Sequence, residues 1–164
     1  MTNYNLKAEA GHIYISPFGF ISYSEDFYEA CRSHGPQRPF SPVHYYLACH
    51  SIELSLKAYL LLKGITRKEL RNTHKLGHNL EEILKTCKEL EIDKILPITA
   101  THEGIIKELN KWYNLPRKGF EYFELPKNVE NSSKELPEIG EVQQLAADLI
   151  SGLKEPCKNE ANKP

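Results

Sequence analysis

Residues 41–64 read SPVHYYLACHSIELSLKAYLLLKG, and the spacing within this stretch decides the fold class. Ser41 suits a helix N-cap, Pro42 suits the first helical position, where a missing N–H costs nothing, and Gly64 stands just past the end. At about 100° per residue, Leu47, Leu54 and Leu61 fall on one side of the helix and Cys49, Ile52, Leu56 and Tyr59 on others. A helix apolar all round is buried on most faces, so this one should be the centre of a helical domain. His50, Glu53 and Lys57 interrupt it, an expensive load for a lone membrane span.

Outward from this centre, helical spacing recurs and strand alternation is weak. A helix is expected over about Pro17 to Ser33, with Phe20, Phe27, Tyr28 and Cys31 near one face and GPQRP at Gly35 to Pro39 ending it. After Gly64, a helix should begin near His78 or Asn79, turn Leu80, Ile83, Leu84, Cys87 and Leu90 inward, and end near Glu91. The stripe Ile98, His102, Ile105, Leu109 and Trp112 predicts another over about Pro97 to Tyr113. Prolines, glycines and an Asn-Ser-Ser cluster make Asn114 to Gly140 a long irregular connection. Val142, Leu145, Leu149 and Leu153 predict a last helix over about Glu141 to Lys154. The reading is an all-α up-and-down bundle of four to five helices in one domain over residues 1–155, with residues 156–164 as a flexible tail.

The chain has 164 residues, 21 Lys plus Arg against 22 Asp plus Glu, and 40% hydrophobic content, which excludes collagen-like, disordered and membrane-spanning classes. With a net charge of −1, nucleic acid or lipid must be met by a local patch, because no field of one sign covers the surface. Cys31, Cys49, Cys87 and Cys157 form no C-x-x-C pair, which points to free thiols and a cytoplasmic location. The apolar HIYISPFGFISY near the N-terminus lacks the basic lead-in and cleavage site of a signal peptide.

Three clusters are candidates for chemistry. Tyr46, His50, Glu53 and Lys57 follow one another at steps of four, three and four, a polar stripe bounded by leucines. Charge there needs a partner, and Glu53 and Lys57 supply one another at i and i+4. The stripe is either a structural ion pair at a bundle or dimer seam, or a polar cleft for phosphate, nucleotide or RNA. RNTHKLGHNLEE carries Arg71, His74, Lys75 and His78 ahead of a helix N-terminus that attracts anions, although His78 or Asn79 is equally a simple cap. A zinc site from His74 and His78 lacks further local ligands, and no metal or cofactor is expected. In KWYNLPRKGFEYFE, rings interleave with Lys111, Arg117 and Lys118, as in single-strand recognition. Packing is the better reading of Trp112, whereas Tyr113 and Arg117 stand between the two. A nucleophile triad, a Gly-rich phosphate loop and paired catalytic carboxylates are missing as motifs.

At these residues the chain resembles the HEPN family, the helical domains named for higher eukaryotes and prokaryotes nucleotide-binding proteins. HSIELSLKAYLLLKG is similar to the family's Glu-x-x-x-Lys helix at Glu53 and Lys57; HKLGHNLEEIL to its His-x-Leu opening at His78 and Leu80; WYNLPR to its Tyr-x-x-x-Arg element at Tyr113 and Arg117. The resemblance covers about Ser41 to Arg117. It implies a helical bundle, usually a homodimer, often encoded in toxin-antitoxin, phage-defence or RNA-processing systems, with a nucleotidyltransferase or antitoxin as partner. Some members are metal-independent ribonucleases marked by Arg, four to six residues, then His. KGFEYFELP follows Arg117 without a histidine. Arg71 to His78, Arg67 to His74 and Arg38 to His44 repeat the spacing, but all lie in or beside loops, and five arginines with seven histidines make such matches cheap.

The expectation is a noncatalytic module that binds RNA, a nucleotide or a partner protein through His50, Glu53, Lys57, His74, His78, Tyr113 and Arg117. The alternatives are a toxin-type ribonuclease using His78 with Arg71 or Arg117, and a purely structural dimeric interaction domain.

Overall fold

The computed structural model describes residues 16–34, 41–72, 74–114, 119–122 and 136–161. Among them there is no strand, and five longer helices carry the fold. Helix α1 spans Pro17–Ser33 and starts where Ser16 Oγ accepts the Gly19 N–H at 3.0 Å. Helix α2 spans Pro42–Leu62, with Pro42 in its first turn and Gly64 beyond its end at φ 87°, a left-handed conformation that favours glycine.

The connection after α2 holds one turn that periodicity does not announce. Helix α3, Arg67–Leu70, is closed by a capping box in which Thr66 and Glu69 each bond the other's backbone. Helix α4, Leu80–Glu89, starts at Asn79, whose side chain accepts the Glu82 N–H. A 3-10 turn at Ile92–Lys94 leads to α5, Ala100–Tyr113. Helix α5 begins three residues after the expected Pro97, because Thr99 caps it through the His102 N–H; Ile98 therefore precedes the helix. Helix α6, Gly119–Tyr122, places a helical turn inside the expected irregular connection, and the remainder of 115–135 lies outside the described residues.

Helix α7, Ile139–Ala161, corrects the expected tail. It starts two residues before Glu141 and runs through Pro156, with Cys157 fully buried one helical step after Leu153. Proline in a helix costs about 3 kcal/mol. The apolar stripe continues to Cys157, and burial there outweighs the lost hydrogen bond.

Helix α2 is the centre. Helices α1 and α7 pack on it and on each other, and α4, α5 and α6 also pack against it. Where α1 meets α2, Ser24 Oγ lies 2.9 Å from Ser51 Oγ and 2.7 Å from Ser55 Oγ, small side chains that satisfy one another and let the backbones approach. The four cysteines are free and buried. No helix among the described residues is long and apolar enough to cross a membrane.

Candidate functional site

The polar stripe of α2 closes around Glu53. Its carboxylate is 2% exposed and accepts three hydrogen bonds: from Lys57 Nζ at 2.6 Å on Oε1, and from Tyr113 Oη at 2.6 Å and His78 Nδ1 at 2.9 Å on Oε2. Lys57 Nζ also donates to the Gly77 carbonyl at 2.5 Å. The phenol proton of Tyr113 is committed to Glu53, so in the 2.8 Å contact between His50 Nδ1 and Tyr113 Oη the imidazole N–H is the donor. Three elements thus converge: α2 supplies His50, Glu53 and Lys57, the turn before α4 supplies Gly77 and His78, and the end of α5 supplies Tyr113. Within the chain, the Glu53–Lys57 pair is completed by the Gly77 carbonyl, His78 and Tyr113.

These contacts set the protonation states. Burial alone would push the Glu53 carboxyl up, but the His78 hydrogen bond and the Lys57 charge outweigh it and hold it at about 2. Burial lowers His50 below its ordinary value, an effect that the Glu53 charge partly offsets. Burial, and then the neighbouring Glu53 charge, push the Tyr113 phenol well above its ordinary value. The cluster therefore holds one fixed carboxylate and a neutral phenol.

Its outer side is imidazole and aromatic. The His78 side chain is 47% exposed and His50 is 22% exposed. Tyr46 lies parallel to His50 with centroids 5.9 Å apart, and Phe27 from α1 meets the His50 ring edge-on at 4.4 Å. His78 stands edge-on to Tyr113 at 6.0 Å.

The structure brings together His50, Glu53, Lys57, His78 and Tyr113. Arg71 and His74 are exposed, and among the described contacts neither bonds to the cluster. His78 turns toward Glu53, whereas His74 lines a different cleft with Asn72 and Lys75. Asn79, not His78, caps α4. Tyr113 is 7% exposed and acts through its hydroxyl, so its ring is not a stacking surface. Trp112 is packed as expected, and its indole N–H is buried without a hydrogen-bond partner. Arg117 lies outside the described residues. Among the described residues, no group of three or more His, Cys, Asp or Glu is placed to hold a metal ion.

No family model, curated protein or solved structure matches this chain. The likeness to the HEPN family rests on the three motifs quoted above.

Sequence reasoning missed Asn110 and Phe27. Asn110 Oδ1 accepts the Leu80 N–H at 2.8 Å while its amide donates to Asn79 and Glu81, which ties α5 to the start of α4 and so fixes the turn carrying His78. The available signal was an amide beside Leu109 and Trp112 on a buried helix face, where polar groups require partners.

Proposed function

We propose that the chain is a HEPN-like bundle whose Glu53-centred cluster is the contact site of a noncatalytic module for RNA or a nucleotide. One observation supports this reading above the others: His78 is half exposed, yet its Nδ1 is fixed by a buried carboxylate. Glu53 and Lys57 already neutralise one another, so charge balance alone has no use for two histidines and the rings of Tyr46 and Phe27 at the rim. Imidazole and aromatic faces suit phosphate and base respectively. Following the family resemblance, the module would act as a cytoplasmic homodimer, with a nucleotidyltransferase or antitoxin as protein partner. Titration with short RNAs and with free nucleotides at low salt tests the ligand class. Saturable binding is expected, and silence toward all of them would leave the structural interaction domain.

A specific observation also supports the ribonuclease reading. A carboxylate bonded to Nδ1 fixes the tautomer and orientation of an imidazole, as a general base at a 2′-hydroxyl requires. Its arginine would be Arg71, which is exposed and forms no bond to the cluster among the described contacts, or Arg117. Cleavage of RNA in EDTA that His78→Ala abolishes would favour this second reading.

A further inference from the structure

The segment between α2 and α4 concentrates unpaired positive charge. Fourteen lysines and arginines lie among the described residues, and seven make ion pairs. Of the seven that make none, five fall within residues 63–75: Lys63, Arg67, Lys68, Arg71 and Lys75. All five are exposed. The one acid of the segment, Glu69, is occupied by the Thr66 capping box. This patch stands out in a chain whose net charge is −1.

Helix-end electrostatics accounts for only part of it. Lys63, just past the end of α2, and Arg71, the C-cap of α3, suit the negative ends of their helices. Arg67 and Lys68 open α3 right after its N-cap, at the positive end where cations are disfavoured, and Lys75 lies in the turn between α3 and α4. Arg67 and Arg71 are one helical step apart, and like charges at that spacing repel. Lys63 rests over the Tyr59 ring and Lys75 lies near Glu69, but none of the five is in an ion pair among the described residues, which leaves them suited to an external anion.

We infer that Lys63, Arg67, Lys68, Arg71 and Lys75 form a docking surface for the phosphodiester backbone of a single-stranded polynucleotide, delivering the strand to the His78 end of the cluster. The inference rests on the nucleic-acid reading of that cluster for the strand's destination, whereas the patch itself rests on charge and exposure. Lys75 and His78 are three residues apart, at most about 11 Å along the chain, so a strand crossing the patch passes close to His78. Beside it lies a cleft of about 630 Å3, lined by His74, Lys75 and Asn72 and by the carboxylates of Glu69 and Glu82, that offers room to a base or sugar rather than to a phosphate. A membrane surface fits less well. Leu70 is buried, Ile65 packs against the core, and among the described residues the exposed large apolar ones, Tyr23, Val43 and Ile95, lie elsewhere in the sequence, so the patch offers no large side chain to insert into lipid.

The test is fluorescence anisotropy with a labelled single-stranded RNA and the DNA of the same sequence, between about 50 and about 200 mM salt. Each cation on a single-strand phosphate contributes about −0.7 to the slope of log affinity against log salt. Arg67→Gln/Lys68→Gln/Arg71→Gln should weaken binding at least tenfold at low salt and flatten the slope by about 2. Lys107→Gln/Lys158→Gln, which removes the two other cations without an ion pair among the described residues, should change neither. Loss on both RNA and DNA supports a backbone surface, and loss on RNA alone supports the same surface with a ribose contact. An unchanged slope and affinity in the triple variant would overturn the inference, as would binding to phosphatidylserine vesicles with none to either strand. His78→Ala separates the two proposals. Lost affinity in His78→Ala with an unaltered triple variant removes the patch and keeps the cluster; the reverse removes the cluster and keeps the patch.

Discussion

Among the described residues Glu53 is the buried carboxylate, and its three donors determine what its loss would do. Glu53→Gln leaves Lys57 buried beside a neutral amide, and breaking a buried pair in this way costs about 3 to 5 kcal/mol. A chemical-denaturation midpoint that falls steeply is the expected result, and an unchanged midpoint would show that water reaches the pair. Acid acts on the same group. The carboxyl is held at about 2 in the fold against an ordinary 4.5, so its contribution is complete above pH 4.5 and is lost as the pH falls toward 2. His50 works in the same direction at higher pH. Its imidazole is lowered below 6.5 in the fold, so the unfolded chain takes up its proton first, and stability starts to fall as the pH drops through that value. Denaturation curves between pH 8 and 3 should show both declines for the natural chain, with the lower one reduced in Glu53→Gln to what Glu69 and Glu91, also held below their ordinary value, still contribute. His78→Ala removes a single bond from a carboxylate that keeps two others, so the fold should survive with a loss of about 1 to 2 kcal/mol.

At the scale of elements, caps and periodicity made most of the helices legible. Pro42 and Gly64 bracket α2 as expected, and the inward residues of α4 are those at steps of three and four. Boundaries were less legible. Thr99 and its reciprocal bond with His102 start α5 later than Pro97 suggests, and Cys157 carries α7 through a proline that ordinarily ends a helix. In both places, side-chain bonding or burial overrides a backbone signal that looks decisive in one dimension. Gly152 gives α7 its closest approach: a Cβ there would stand 2.9 Å from Leu96 Cδ1. Gly152→Ala should therefore destabilise by about 1 to 3 kcal/mol despite alanine's better helix propensity, a result read from its thermal midpoint. A rise in that midpoint would mean that Leu96 rotates away freely.

Across the whole molecule, the sequence revealed the members of the site better than their arrangement. His50, Glu53 and Lys57 share a helix face, so helical spacing alone groups them. Tyr113 and His78 lie 60 and 25 residues from Glu53, and no local pattern shows that they meet on one carboxylate. Asn110 explains part of that convergence, since it ties α5 to the backbone that begins α4. Asn110→Leu should leave α2 helical while loosening the His78 turn, detectable as faster amide exchange at residues 77–80 than at 52–60. The measurement that bears most directly on the function is titration of a labelled mixed-sequence RNA in EDTA, with binding and strand integrity read together for the natural chain and His78→Ala. Saturable binding of RNA that stays intact, weakened at least tenfold in a folded His78→Ala, is the expected result. Equal affinity in the two proteins, or cleavage by the natural chain that His78→Ala abolishes, would contradict a noncatalytic binding site at Glu53.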